Sequence, residues 1–375
     1  MKRTVSALVL ISTLIAAGSA AAQERPAFAA GAIGQGYSFG GETGVESATL
    51  LLLPVAFTLP VSRGLTLDLY GAYARGAVNL EDETHTLQGI VDTRLRASYA
   101  VTPWAVVSAA VNLPTGNATH DSEEAIVASA LSMELLGFRE ALWGTGFGFT
   151  TGVSTAARFG STGLGIGASY RVASEFEPSE EQAFKYTPGN EVRVRVALDQ
   201  NVGVNNQLTL GVTFQNYAED KVDGRNLFAP GNRIRGDLAY SFRTSPTSTW
   251  TFYVADVHRE NGDVTLQLAQ GGTAVGDTTF EAGHQNMAVI GLAGAMRMGT
   301  LALRPSADAR LLTRESGEEE GWLAGVGTDI PFRMGNTEVV PSVRLSYGQL
   351  EGASTDQRDG FWGGEIGLML RFGGR

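Results

Sequence analysis

The chain has 375 residues, 48 glycines, 12 prolines, no cysteine and a formal net charge of −11. Hydrophobic residues make up 43% and run along the whole length, which excludes a disordered tail, and zero cysteine excludes a disulfide scaffold or a thiolate metal site. The acidic balance also excludes a basic nucleic-acid-binding surface, so no nucleic acid partner is expected.

The chain opens with Met1–Lys2–Arg3, followed by the apolar stretch Val5–Ala17 and then Ala20–Ala21–Ala22. A short basic region, an apolar core too short to span a membrane and a small-residue cleavage pattern together predict a signal peptide over 1–22, cut after Ala22. The remainder, 23–375, reads as a single domain.

Beyond the leader, the period is two rather than 3.6. A first strand is expected over about Ala30–Gly40, unless the stretch Gln23–Glu46 folds inward as a plug. At Asp92–Val101, Thr93, Leu95, Ala97, Tyr99 and Val101 face one way and Asp92, Arg94, Arg96 and Ser98 the other. Glu191–Asp199 repeats this, with Val192, Val194, Val196 and Leu198 opposite Glu191, Arg193, Arg195 and Asp199. Further along, Ile234, Leu238, Tyr240 and Phe242 oppose Arg233, Arg235 and Asp237, and Leu303, Ala307, Ala309 and Leu311 oppose Arg304, Asp308 and Arg310. Val343, Leu345 and Tyr347 oppose Arg344. Successive strand side chains point to opposite faces, so each segment carries one greasy and one charged face.

Connections alternate in length. Short turns are expected near 60–63, 101–103, 159–161, 202–205, 244–248, 298–300 and 334–336. Long ones are expected near 41–46, 77–86, 114–141, 175–188, 219–231, 260–284, 314–320 and 350–359. Short turns at one end and long loops at the other, with full charges in mid-strand, predict an all-β fold: a transmembrane antiparallel up-and-down β-barrel of about 16 strands, or 14 if one hairpin is lost. The loop 114–141 contains one expected helix, Asp121–Gly137. Asp121 or Ser122 caps it, Glu123 and Glu124 sit in its first turn, and Gly137 stops it. Its apolar stripe reads as Ile126, Ala130 and Met133, with Leu131 or Leu135. That stripe either constricts the pore, forms a greasy groove or packs on neighbouring loops. Trp104, Trp143, Trp250, Trp322 and Trp362 fall near strand ends, as an interfacial aromatic girdle would.

By strand parity the lumen wall receives Arg94, Arg96, Arg193, Arg195, Arg233, Arg235, Arg304, Arg310, Arg344 and Arg371. Its acidic members are Asp92, Glu191, Asp199, Asp237, Asp308 and Glu365. The wall is net cationic while the acidic loops, such as Glu81–Asp82–Glu83 and Glu318–Glu319–Glu320, hold the negative charge. Two readings fit: a pore selective for anions, or a ladder of ion pairs solvating a wet interior. Acidic loops would meet lipopolysaccharide phosphates through divalent cations, or simply be solvated.

The last strand reads E-I-G-L-M-L-R-F. Glu365, Gly367, Leu370 and Phe372 resemble the terminal insertion signal of barrels delivered by the outer-membrane assembly machinery, which normally ends on the aromatic residue, whereas here Gly373–Gly374–Arg375 follow. A second resemblance rests on Val111–Gly116 (VNLPTG), the helical loop after it, and the glycine-alternating runs Gly144–Phe149 and Gly163–Gly167. These resemble the long-chain fatty acid transporter-like barrels and the meta-pathway phenol-degradation barrels. The resemblance implies an uptake barrel for hydrophobic compounds with helical outer loops. The Asn-Pro-Ala plug motif of the fatty acid transporters is missing between Gln23 and Glu46, and no ligand residue carries over.

The histidines His85, His120, His258 and His284 are dispersed, and no metal-protease, nucleophile-elbow or P-loop motif is present. Asp256 and His258 share a strand face, but no partner serine is identifiable. The reading is therefore an outer-membrane channel for passive uptake of small hydrophobic or anionic solutes, without cofactor or metal. The alternatives are a structural or adhesive barrel working through its acidic loops and, last, a barrel hydrolase. The solute and the oligomeric state are not encoded in these patterns.

Overall fold

The computed structural model describes residues 25–41, 44–80, 83–270, 273–299, 301–314, 317–351 and 358–373. The expected leader over 1–22, with its cleavage point at Ala22, lies outside the described residues.

From β1 (Ala27–Phe39) the chain runs through β2 (Ser47–Pro60), β3 (Leu65–Leu80), β4 (Glu83–Ile90), β5 (Thr93–Thr102) and β6 (Ala105–Leu113) to helix α1 (Ser122–Leu131). It continues through β7 (Gly148–Phe159), β8 (Thr162–Ala173), the two-residue β9 (Tyr186–Thr187), β10 (Glu191–Val202) and β11 (Asn206–Tyr217). Then come β12 (Asp220–Val222), β13 (Arg225–Ala229), β14 (Arg233–Ser245), β15 (Ser248–Arg259), β16 (Gly262–Gln270) and β17 (Thr273–Ala282). The final stretch is β18 (Gln285–Met298), β19 (Leu301–Arg314), β20 (Glu319–Asp329), β21 (Phe332–Met334), β22 (Thr337–Glu351) and β23 (Arg358–Gly373).

Neighbouring wall strands pair antiparallel, and β1 pairs with β23 from Ala27↔Gly373 to Phe39↔Phe361, which closes the ring. Both β4 and β5 pair with successive parts of β3, and both β20 and β21 pair with β22, so each couple forms one interrupted stave. The result is a closed antiparallel barrel of 16 staves. The 14-stave alternative is not adopted, and the first strand stands in the wall rather than folding inward. Closure leaves no unpaired edge, which is what lets a sheet cross hydrocarbon. Most staves exceed the ten or so residues needed to span a bilayer, so they project beyond it.

Parity sorts the side chains as the alternation predicts. On β2, Leu51, Leu53, Val55 and Phe57 are exposed on the outside, while Ala48, Leu50 and Leu52 are buried inside. The outer face is apolar all round: Val212 is 55% exposed, Leu345 65% and Ile366 71%. A continuous belt of this kind is stable against acyl chains, not against water. Trp104 and Trp362, 61% and 66% exposed, lie on the outside as girdle residues do. Trp143 does not: it is fully buried inside the barrel, because its stretch of chain turns into the lumen.

Three expected loops contain strand hairpins instead, 219–231 being that of β12 and β13. The stretch near 77–86 is the tip of the β3–β4 hairpin, paired up to Leu80↔Glu83. Below its tip, Val78, His85 and Leu87 are buried. The stretch 260–284 is the β16–β17 hairpin. It joins β9, β12 and β13 in a separate five-stranded sheet above the wall.

Candidate functional site

The chain leaves the wall after Leu113 because Pro114 has no N–H to continue the ladder. It returns at Gly148, and residues 114–147 between them fold into the lumen. Both ends of this loop are fixed at one place, the break between β4 and β5. There Asp92, 3% exposed, accepts hydrogen bonds from Gly116 N at 2.9 Å, Thr145 N at 2.8 Å and Asn112 Nδ2 at 2.8 Å. Its own N–H donates to Trp143 O at 2.8 Å. Asp92 was expected to face lumen water; the inward loop covers it instead, and it serves as that loop's anchor. Gly116 is needed here, since a Cβ at that position would lie 1.9 Å from Trp143 O. This is the glycine of the VNLPTG stretch.

Helix α1 is capped as expected, with Asp121 Oδ1 accepting from Glu124 N at 2.8 Å, but it ends at Leu131 rather than near Gly137. Ser132 Oγ donates to Ser129 O at 2.7 Å and competes with the next helical turn. Gly137, with φ of 64°, makes a later left-handed turn. The buried stripe is Val127, Ala128 and Leu131, whereas Ile126 and Met133 of the expected stripe are exposed. Val127 and Leu131 sit over Gly76 of β3. Beyond the helix, Leu135, Leu136, Phe138 and Trp143 are buried in the same cluster as Leu50, Ala74, Leu87, Leu323 and Phe361 of the wall. Each large buried apolar side chain contributes on the order of 1.5–3 kcal/mol, so the loop is a fixed part of the interior.

Polar contacts then stitch the loop around the wall. Tyr37 Oη donates to Leu136 O at 2.8 Å, and the Tyr37 ring meets Phe138 edge-on at 5.4 Å. Gln35 Oε1 accepts from Arg139 N at 2.8 Å. The Arg139 guanidinium grips Glu365 with bonds of 2.8 and 2.6 Å. Trp143 Nε1 donates to Ala74 O at 3.2 Å, and Arg310 Nη1 donates to Leu135 O at 3.1 Å. Glu140 lies 3.1 Å from Arg94 Nη2 and accepts from Tyr70 Oη at 3.4 Å. Burial pushes the Glu140 carboxyl above the usual range, against the opposing pull of Arg94. Glu134 contacts Arg259 and stands 3.8 Å from Arg233.

The remaining wall arginines mostly have carboxylate partners. Arg193 pairs with Glu191 at 2.7 Å, and Arg195 binds both oxygens of Asp237 at 2.6 and 2.8 Å. Gly211 makes room for that buried pair: a Cβ there would lie 2.3 Å from Arg195 Nη2. Asp308 serves Arg344 at 2.6 Å and Arg310 at 3.6 Å. Glu338 serves Arg371 at 3.5 Å and Arg304 at 3.9 Å. Arg96 Nε donates to Ser98 Oγ at 3.1 Å, and Asp199 accepts from Thr209 Oγ1 at 2.6 Å. Among the described residues, Arg235 has no carboxylate within 4.0 Å. Glu134, Arg139, Glu140 and Glu338 were not singled out from the sequence. Glu338 was legible by parity on β22; the three loop residues carried no periodic signal.

On β23, Glu365 faces inward to Arg139, while Leu370 and Phe372 share the outer parity and Phe372 meets Phe28 with ring centroids 5.8 Å apart. Gly367 stands between them opposite Ile33 and Ser342. Asp256 and His258 are exposed on the outer face of β15, with the His258 ring 6.1 Å from His284. Among the described residues, no group of three or more metal-ligating side chains occurs.

No known family pattern matches this sequence, and no characterised protein matches it by sequence. Among solved structures, the chain is similar to the CymD monoaromatic hydrocarbon channel, at 13% identity and a TM-score of 0.45, over 96% of this chain and 91% of that one. It is similar to a Pseudomonas aeruginosa FadL homologue, at 9% identity and 0.44, over 96% and 93%. A bacterial polysaccharide outer membrane secretin gives 11% and 0.45, over 94% and 98%.

Proposed function

We propose that the protein is an outer-membrane channel for passive uptake of small hydrophobic or anionic solutes. In this reading residues 1–22 are an export leader removed after Ala22, and 23–375 form the working domain. The assembly machinery reads Glu365, Gly367, Leu370 and Phe372, and acyl chains with lipopolysaccharide surround the wall. The short turns face the periplasm and the long loops face outside. Transport needs no cofactor and no covalent chemistry.

The observation that carries this reading is the division of the lumen. Residues 114–147 pack onto the apolar inner faces of β1–β4 and β19–β23. The inner faces of β7, β8, β10 and β11 instead carry small and polar groups such as Thr150, Ser154, Gly165, Arg193 and Thr213. A barrel of 16 staves is too wide for side chains alone to fill. A loop that narrows one side and leaves a polar strip on the other makes a selective passage rather than a sealed plug.

Planar-bilayer conductance and liposome swelling with the purified barrel test this. Measurable conductance and solute-dependent swelling are expected; an electrically silent barrel that admits no solute would favour the structural or adhesive alternative. Neutralising Arg193 and Arg195 is expected to lower the anion-to-cation permeability ratio, read from the reversal potential under a salt gradient. An unchanged potential would assign both arginines to wall scaffolding.

A further inference from the structure

Arg233 of β14 and Arg259 of β15 are direct cross-strand partners. Like charges placed opposite one another destabilise a sheet unless something lies between them. Arg235 follows two residues along β14 on the same face, opposite Val257. Three guanidinium groups thus share one patch of the lumen wall. One carboxylate from the inward loop reaches the patch: Glu134, in contact with Arg259 and 3.8 Å from Arg233.

The neighbouring wall adds no free negative charge. Gln215 and Tyr217 face the patch from β11, and Asp237 on β14 is held by Arg195 through both oxygens. Val257 on β15 and Met287 on β18 are apolar partners of each other. Three cations against one anion leave the patch positive.

A second observation points the same way. Arg233 Nε and Arg259 Nε are shielded from solvent, and neither has a hydrogen-bond acceptor among the described residues. A guanidinium offers its Nε and one Nη as a fork that matches the two oxygens of a carboxylate. Scaffolding leaves such donors satisfied; a binding seat keeps them for its ligand.

We propose that Arg233, Arg235 and Arg259 form a seat for the carboxylate of a small organic acid, and that Glu134 occupies it as an internal counter-ion which the solute displaces. Val257 and Met287, buried or packed against the core, border the seat with apolar wall. This inference rests on the uptake reading and deepens it by naming the solute class and what the solute displaces.

The test uses the full-length barrel in detergent, titrated calorimetrically with benzoate and with its neutral amide, benzamide, alongside bilayer reversal potentials. Glu134→Gln is expected to bind benzoate about tenfold more tightly than the natural chain, because the internal competitor is gone. Adding Arg259→Gln to that variant is expected to reverse the gain, and benzamide is expected to respond to neither change. Benzoate affinity that is the same in all three proteins, or no stronger than benzamide, overturns the seat. Where Glu134→Gln does not insert, Arg235→Gln is read instead: about threefold weaker benzoate binding is expected, and unchanged binding overturns the proposal. A barrel that binds benzoate in the expected order but passes no current keeps the seat and removes the uptake reading. One that conducts while ignoring benzoate does the reverse.

Discussion

The two sides of the lumen obey different rules. Along β1–β4 and β19–β23, inward charged pairs alternate with apolar residues such as Leu50, Leu52, Ala74, Val78, Leu87, Leu323 and Phe361, and the loop covers these apolar ones so completely that Ala74 and Phe361 have no exposure. Along β7, β8, β10 and β11 the inward residues are mostly small or polar, such as Ser154, Gly165, Arg195 and Thr213, with nothing of the loop's apolar core against them. The same alternation of strand residues builds both sides. What differs is whether the inward positions are greasy enough to hold a second layer. The difference teaches that the lumen's shape is written in the inward half of each strand, while the outward half only secures its place in lipid.

The largest expected effect comes from emptying the filled side. Trp143→Ala removes a fully buried indole and its hydrogen bond to Ala74 O. It is expected to weaken loop docking by about 3–5 kcal/mol and to raise single-channel conductance. Faster proteolysis within 114–147 measures the first effect and bilayer recording the second. A variant with natural conductance and protection would break the comparison. Asp92→Ala attacks the loop from its ends. It leaves Gly116 N and Thr145 N without their acceptor, at about 2–3 kcal/mol in all, read by the same proteolysis.

A paired glycine experiment sharpens the contrast between sides. At Gly76, under the helix, an added Cβ meets Leu131 Cδ1 at 2.5 Å and Val127 at 3.0 Å. At Gly165, on the opposite wall, the nearest atoms are 3.8 and 3.9 Å away and belong to the wall itself. Gly76→Ala is expected to cost about 1–3 kcal/mol in thermal or denaturant unfolding, while Gly165→Ala is close to neutral. Equal effects would mean that the two sides are packed alike.

The smallest effect is a pH dependence at Glu140. Its carboxyl is raised above the ordinary value of about 4.3, so the folded state holds this proton more tightly than the unfolded chain. Its contribution falls as pH rises from that ordinary value through the raised one, and it is recovered on acidification. The natural chain should therefore gain stability relative to Glu140→Gln as the pH falls from 7 to about 4.3. A relative loss over that range would contradict the burial of this carboxyl in the loop.

Much of this was legible in the sequence. The alternation at Asp92–Val101 and Glu191–Asp199, the inward arginines and the short turns all follow from a period of two, which one strand face imposes regardless of tertiary context. The loop was legible as a helix but not as a filling. In the run Ala125–Leu131 apolar residues surround the axis, so periodicity does not choose between Ile126 and Val127; the wall at Gly76 chooses. Trp143 has the composition of a girdle residue and the position of a core one, and the path of the chain alone separates the two. Pairing partners such as Glu134 and Glu338 depend on which loop or neighbouring strand lies opposite, which no single strand's pattern contains.

Because the chain has no cysteine, thiol accessibility reads the division of the lumen without background. The decisive measurement places one cysteine at Ala74 and, separately, one at Ser154, reconstitutes each barrel in liposomes and follows reaction with a small charged thiol reagent. The account predicts rapid modification at position 154 and protection at position 74 until the loop is released by Trp143→Ala. Rapid modification at position 74 in the otherwise natural chain, or equal rates at both positions, would contradict it.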